Sequence, residues 1–435
     1  MKKSSKIGIL ILVMLLAVLP LLAACGDDDE KETPSPTATK PTATATGKPT
    51  PTETEQQKVK INIGLLTDLT GPSATALVPV DQALKDVIRY FNEKNLIPGA
   101  EFEAISYDTG YDPAKVRPGY EWLKERKAAF FFSGVPLAGT LTKPWVDQDK
   151  IIFFSLVSSP ELYAPPGYTF SVNIDTEAFV YTLMNWLPQN DPNFPKGRPA
   201  KIGLVGMEEP YVKNMLEGVE KWCATHPSEW RMVGGFTVPW TQVNFPTEVE
   251  ALKGCDYVLP PSTGFFLANF VKQMRAAGYA GNFLGTDAQM AFLGQMVDWA
   301  GWDSFNGMFF GLPYTWWSED SETCKIAKYA LEAYHTAGEQ KELKWSGGSY
   351  RGGFTQSYGM MTILKKTIER VGVTNFSPQA LYDTCVQFSE EFDGNLWDYS
   401  STDRTSWNNL NIFQADASVT DVHKRASLVP VIFHP

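Results

Sequence analysis

Apolar residues Ile61, Ile63, Leu65 and Leu66 form a short run of the kind a strand buried on both faces needs. A turn rich in Thr, Asp, Gly and Pro follows, from Thr67 to Ser73. Next, Leu84, Val87, Ile88 and Phe91 recur at i, i+3, i+4 and i+7, one stripe of a helix ending near Asn92. Strand, polar loop and helix make the first half of a βαβ unit. Ligands of open α/β sheets sit where such loops leave the carboxyl ends of strands, so Thr67–Thr75 is a first expected wall of a binding site.

The alternation continues. Glu101–Tyr107 reads as a strand, Asp112-Pro113 opens a helix to about Lys127, and Ala128–Phe132 and Ile151–Phe154 are short buried strands. A second series begins near Glu177. Its strands are Lys201–Val205, Gly235–Val238, Tyr257–Leu259, Asn282–Gly285 and Met308–Leu312, with a helix carrying Leu267, Phe270, Val271 and Met274 on one face. Helices over Ser321–Thr336, Arg351–Val371 and about Pro378–Glu390, then a strand at Leu410–Gln414, complete the pattern. Strands alternating with helices at this spacing predict parallel sheets.

A chain of 435 residues is too long for one small core, so two lobes are expected. The formal net charge of −11 argues against nucleic acid as a partner, because phosphate binding needs a basic face. The cysteines Cys25, Cys223, Cys255, Cys324 and Cys385 include no CxxC spacing, and the histidines form no ligand-spaced cluster, so neither a metal nor a cofactor is expected. Disulfides are permitted in an exported chain: Cys223 with Cys255 and Cys324 with Cys385 are candidates beside free buried thiols.

Lys2, Lys3 and Lys6 precede an apolar run from Ile7 to Ala24, the layout of a secretory signal. The run approaches the length that spans a bilayer, but it ends in Leu22-Ala23-Ala24-Cys25-Gly26, which resembles the bacterial lipoprotein lipobox. That resemblance implies a signal peptide over 1–25, lipidation of Cys25 (palmitate or a similar acyl chain) and tethering to the outer face of the cell membrane. From Gly26 to Gln57, nine Thr and five Pro fill 32 residues without apolar periodicity. Such a composition cannot bury enough surface to fold and acts as an extended spacer.

Six motifs in order carry a wider resemblance. They are LLTDLTGPSA with its helix ending in FNEKN, YDTGYDPAKV, FFSLVSSPELY, KIGLVGMEEPY, NFLGTDA and GGFTQSYGMMTILKKTIERVG. Together, from Val59 to Ala415, the chain resembles the branched-chain amino-acid type of periplasmic substrate-binding protein, the receptor of ABC importers. The resemblance implies an α/β fold of two doubly wound parallel-sheet lobes joined by three hinge crossings, periplasmic binding protein type I. The crossings are expected near Ser171–Ile174, Leu312–Thr315 and Asn408–Leu410. Lobe 1 would hold 58–173 and 314–409, and lobe 2 would hold 174–313 and 410–435.

A closing cleft recognises a zwitterion by dividing its charges: hydroxyls and backbone N–H groups on lobe 1 take the carboxylate, an acid on lobe 2 the ammonium. By the motif matches, Ser155 and Ser158 stand on the hydroxyl-bearing loop, with Val157 offering backbone only. Tyr211 matches the tyrosine that packs on ligand and Asp287 the acid that faces an amino group. Ala138 occupies a loop position where the family commonly places a hydroxyl. Each has a plainer use: the serines in turns, Tyr211 in the core, Asp287 as a helix N-cap. Two departures, at Leu137–Gly139 and at Thr263 where some amino-acid binders carry an aromatic, leave amides, urea-like compounds and aromatic acids open. Trp145, Trp240, Trp316 and Trp317 are candidates to line an aromatic pocket or cradle a cation, with packing as their plainer use.

No GxSxG, HExxH or P-loop is present, and adjacent Glu208 and Glu209 point apart in most backbones, so a surface-tethered hydrolase is the remote alternative. The expected function is a monomeric, non-enzymatic, extracytoplasmic receptor. It would bind a small polar solute and deliver it to ABC transporter permease subunits. A ligand sensor of the same fold, signalling to a membrane partner, is the other reading.

Overall fold

The computed structural model describes residues 58–435, and the expected signal segment, Cys25 and the Thr/Pro-rich spacer lie outside them. Strands β1 (Val59–Thr67), β2 (Ala100–Asp108), β3 (Ala128–Ser133), β4 (Phe153–Ser155) and β5 (Thr169–Ser171) form one sheet in the order β2-β1-β3-β4-β5, parallel throughout. This is a doubly wound order whose direction reverses between β1 and β3. β1 is flanked by β2 and β3 and buried on both faces from Ile61 onward, except at Asn62, as its apolar run requires.

The second sheet repeats the order. Strands β6 (Ala200–Met207), β7 (Trp230–Val238), β8 (Tyr257–Leu259), β9 (Asn282–Gly285) and β10 (Phe309–Leu312) run parallel as β7-β6-β8-β9-β10. After the hairpin β11 (Ser389–Phe392) and β12 (Asn395–Asp398) come β13 (Asn409–Asp416) and β14 (Asp421–Pro430). Both extend the second sheet beyond β10 in antiparallel sense. That sheet is therefore mixed, where the alternation predicts a purely parallel one.

The chain passes between the sheets after Ser171, after Leu312 and before Asn409, so two lobes share three crossings. Hydrogen bonds tie these crossings into one waist. The Asn395 amide donates to Pro313 O and to Asn409 O, at 2.9 Å each, bridging the second and third. The Trp407 indole donates to Val172 O (3.2 Å) and the Tyr399 hydroxyl to Ser171 O (2.6 Å), which joins the third crossing and the hairpin to the first.

Most helices start where the sequence signals place them. Asp112 caps the helix Pro113–Glu125 by accepting from Ala114 N, and Ser321 caps Glu322–Tyr334 by accepting from Cys324 N. The expected helix Pro378–Glu390 stops at Cys385, because the residues that follow turn into β11. In lobe 1 the long helix Gly348–Val371 packs on the helix Ala74–Glu93. Its glycines permit a close approach. A Cβ on Gly353 would lie 3.2 Å from Val80 Cα, and one on Gly352 would lie 2.5 Å from the Tyr314 ring.

Cys223, Cys255, Cys324 and Cys385 are all free thiols, so neither candidate pairing is made.

Candidate functional site

A cleft with about 800 Å³ of space, part of it open to solvent, lies between the two sheets. Nearly every wall is a loop at the carboxyl end of a strand. Ser73 follows β1, Gly134 and Pro136 follow β3, and Leu156, Val157 and Ser158 follow β4. Opposite them, Glu209 and Tyr211 follow β6, Ser262 and Thr263 follow β8, and Asp287 follows β9. These are the positions that doubly wound sheets reserve for ligands, here from two sheets facing each other. Gly352, Gly353 and Tyr314 close one end, and Ala76, Leu77 and Val80 give lobe 1 an apolar floor.

Four of the six expected ligand residues line this cleft: Val157, Ser158, Tyr211 and Asp287. The other two do not. The Ser155 hydroxyl donates to Val157 O at 2.6 Å and is buried, so it shapes the loop. Ala138 is fully buried in the helix Pro136–Asp149, and its carbonyl accepts from the Thr142 hydroxyl at 2.8 Å. The Gly134 and Pro136 of that loop reach the cleft in its place.

On the loop after β4, the Ser158 hydroxyl donates to Asp175 Oδ1 at 2.8 Å. Among the described residues, the backbone N–H groups of Val157 and Ser158 donate to no protein acceptor. This loop therefore offers N–H donors rather than a free hydroxyl. The Tyr211 hydroxyl shares a 2.5 Å hydrogen bond with Thr286 Oγ1, which leaves its ring, not its oxygen, for a ligand.

Asp287 is not the N-cap of its helix. Thr286 holds that place, accepting from Ala288 N and closing a capping box with Gln289. Asp287, at the first helical position, is left to accept from the Asn173 amide at 2.5 Å. Burial pushes its carboxyl up to about 6, against the opposing pull of the Asn173 bond. Because Asn173 sits in the first crossing, the lobe 2 acid is bonded to the waist itself.

From the sequence, neither Tyr111 nor Ser262 is expected in the cleft, and Glu209 counts only as half of a carboxylate pair. The Tyr111 hydroxyl, on the loop after β2, donates to Glu209 Oε2 at 2.7 Å, and Ser262 Oγ donates to Glu209 Oε1 at 3.1 Å. Burial raises the Glu209 carboxyl above the usual range, although both hydrogen bonds act the other way. Its neighbour Glu208 is exposed, so the adjacent carboxylates do point apart. The signal available for Glu209 was its place two residues before Tyr211, at the end of a strand.

None of the four candidate tryptophans lines the cleft. Trp240 stacks edge-on against Tyr111, with centroids 5.5 Å apart. Trp145 packs on Tyr120, the Trp316 indole donates to Asp421 Oδ1 at 2.8 Å, and Trp317 lies parallel to Tyr350. Trp316 and Trp317 line a separate pocket beside Trp302 and Trp345, away from the cleft, and packing accounts for Trp145 and Trp240.

A family model described as periplasmic binding protein matches residues 60–419. The chain belongs to the periplasmic binding protein family. Solved structures of similar fold include a branched-chain amino-acid ABC transporter protein from Thermus thermophilus with bound valine. It has a TM-score of 0.73 and 18% identity, over 85% of this chain and 96% of that one. A fatty acid ABC transporter substrate-binding protein from Thermomonospora curvata gives 0.71 and 19%, over 86% and 95%. A branched-chain amino-acid transporter substrate-binding protein from Streptococcus pneumoniae, in complex with isoleucine, gives 0.67 and 14%, over 84% and 100%. Among curated proteins no relative matches. The resemblance to a periplasmic binding protein and the two-lobe fold are thereby borne out, and a general solute-binding role comes with the family. Among the described residues of this periplasmic binding protein, no helix is long and apolar enough to cross a membrane.

Proposed function

We propose that this protein is a lipid-anchored extracytoplasmic receptor. It closes its lobes on one small polar solute, an amino acid or a related amide or urea-like compound, and delivers it to an ABC import permease. The observation that carries this reading is the division of polar groups across the cleft. Val157 and Ser158 offer N–H donors from lobe 1, and Asp287 offers a carboxylate from lobe 2. The apolar floor at Leu77 and Val80 suits an aliphatic body between them.

The chemistry is binding without catalysis. An ammonium group reaching Asp287 replaces lost hydration with a charge-assisted hydrogen bond. A carboxylate or amide oxygen reaches the N–H groups of the opposite loop. Only the closed arrangement makes both contacts, so the solute holds the lobes together. A lipid on Cys25 would tether the receptor, as a monomer, to the membrane beside its permease.

Thermal-shift screening of the purified protein against amino acids, amides and ureas tests the reading. A solute at a hundredfold excess over its Kd stabilises the native state by roughly 2.7 kcal/mol. No stabilisation by any member of these classes removes the proposal.

A further inference from the structure

Two carboxylates, Glu209 and Asp287, face the cleft from lobe 2, and among the described residues no Lys, Arg or His lines it. Neither acid draws on a nearby base: the groups acting on Glu209 are the Tyr111 and Ser262 hydroxyls, and those on Asp287 are neutral donors. Burial raises the Tyr211 phenol most, and both carboxylates lie close enough to add to it, Asp287 more than Glu209. Glu209 accepts one hydrogen bond on each oxygen, leaving further acceptor capacity on a carboxylate turned toward the cleft.

A zwitterion brings no net charge. Its ammonium would satisfy Asp287, its carboxylate would occupy the N–H groups of Val157 and Ser158, and Glu209 would stay uncompensated in a closed, poorly hydrated space. Burying an unpaired charge is strongly unfavourable, and two neutral hydroxyl donors do not replace a counter-ion. A second positive group on the solute removes that conflict. Its aliphatic body would lie along Ala76, Leu77, Val80 and Leu156.

We infer that the cleft selects solutes carrying net positive charge, with one basic nitrogen on Asp287 and a second on Glu209, joined by an aliphatic chain. Diamines and basic amino acids are the compounds of that class. The inference rests on the proposed receptor function and narrows its solute. Glu209 is then a specificity-determining residue, and Tyr111 a lobe 1 partner that holds it in place on closure.

Lysine and norleucine test this directly, since they differ only by the terminal ammonium; cadaverine adds the case without a carboxylate. Isothermal titration of the full chain in detergent at pH 8 is expected to give Kd values for lysine or cadaverine at least tenfold below that for norleucine. Glu209→Gln is expected to bring the lysine-to-norleucine ratio toward one, whereas Tyr111→Phe, which keeps the carboxylate, retains the preference. Norleucine binding as tightly as lysine to the unaltered protein overturns the inference and leaves the receptor reading standing, as does an unchanged ratio in Glu209→Gln. If lysine, cadaverine and norleucine fail to bind, and amides and ureas fail with them, both fall.

Discussion

Tyr111 and Glu209 meet across the cleft: a phenol from the loop after β2 donates a 2.7 Å hydrogen bond to a carboxylate at the end of β6. The two residues are 98 positions apart and belong to different lobes. Tyr111 holds φ at 60°, in the left-handed region that costs a non-glycine residue roughly 1 kcal/mol or more. The turn that enforces this is pinned by Asp108, which accepts from Leu69 N at 2.8 Å and Gly110 N at 2.9 Å. Strained backbone, Trp240 stacking and the bond to Glu209 combine at one contact between the two sheets' loops.

Tyr111→Phe keeps the ring on Trp240 and removes the bond to Glu209. A hydrogen bond of this kind contributes about 1 kcal/mol net, so solute affinity should fall roughly fivefold, mainly through faster dissociation. Stopped-flow release rates for an identified solute check this, and a rate equal to that of the unaltered protein contradicts a role in closure.

Asp287→Ala should weaken binding of any amine-bearing solute held there by about 3 kcal/mol or more, because the ammonium loses its charged partner. The ligand-free protein should unfold at a similar or higher temperature, since a desolvated acid has been removed. Calorimetric Kd values paired with melting curves separate the two effects. Unchanged affinity for an amine would show that the solute is held elsewhere.

Binding should depend on pH in the acid range. In the ligand-free protein burial holds the Asp287 carboxyl up to about 6, so below that pH it carries a proton that an ammonium must displace. Affinity for an amine should be nearly flat from pH 7 to 8 and drop by up to about tenfold per unit below pH 6. The same titration on Asp287→Asn should lose most of this slope. An equally steep curve in that variant assigns the proton to another group.

Asp81 gives a separate effect on stability. It is 3% exposed on the helix Ala74–Glu93, accepts from the Thr67 hydroxyl at 3.1 Å on one oxygen, and has no partner on the other. Burial raises its carboxyl from 3.8 to about 7. Between those values the folded chain keeps a proton that the unfolded chain has released, so this group's contribution to stability falls as pH rises through that window. Asp81→Asn preserves the shape and should stabilise the fold at pH 8 by about 1–3 kcal/mol, with little effect near pH 3. Urea unfolding at the two pH values decides it; equal changes at both would point to packing instead.

The elements legible in the sequence were those whose burial is periodic. β1 and the helix Ala74–Glu93 show a two-faced apolar run and a one-sided stripe, and both formed as the pattern predicts. The helix Thr176–Asn190 was missed because it is buried nearly all round, with Val180, Tyr181, Leu183, Met184 and Leu187 all inside. A helix without a polar face has no stripe to read. The hairpin β11–β12 and the edge strand β14 were missed for the opposite reason. Polar residues interrupt them, so no run is long enough to read as a strand, although Phe392 and Trp397 of the hairpin are buried in the core.

Local sequence determined the two repeated series of strand and helix, the strand-end loops, and through them Val157, Ser158, Tyr211 and Asp287 as cleft residues. The strand-end rule points to the loops, and the family resemblance, through its motif matches, picks out the individual residues. Tertiary structure alone decided that Ser155 and Ala138 turn inward, that Thr286 rather than Asp287 caps the helix, and that Glu209 faces Tyr111. Each of these depends on which side chain lies opposite once the waist folds the second sheet onto the first. That choice is made by residues tens to hundreds of positions away, where no short pattern can register it.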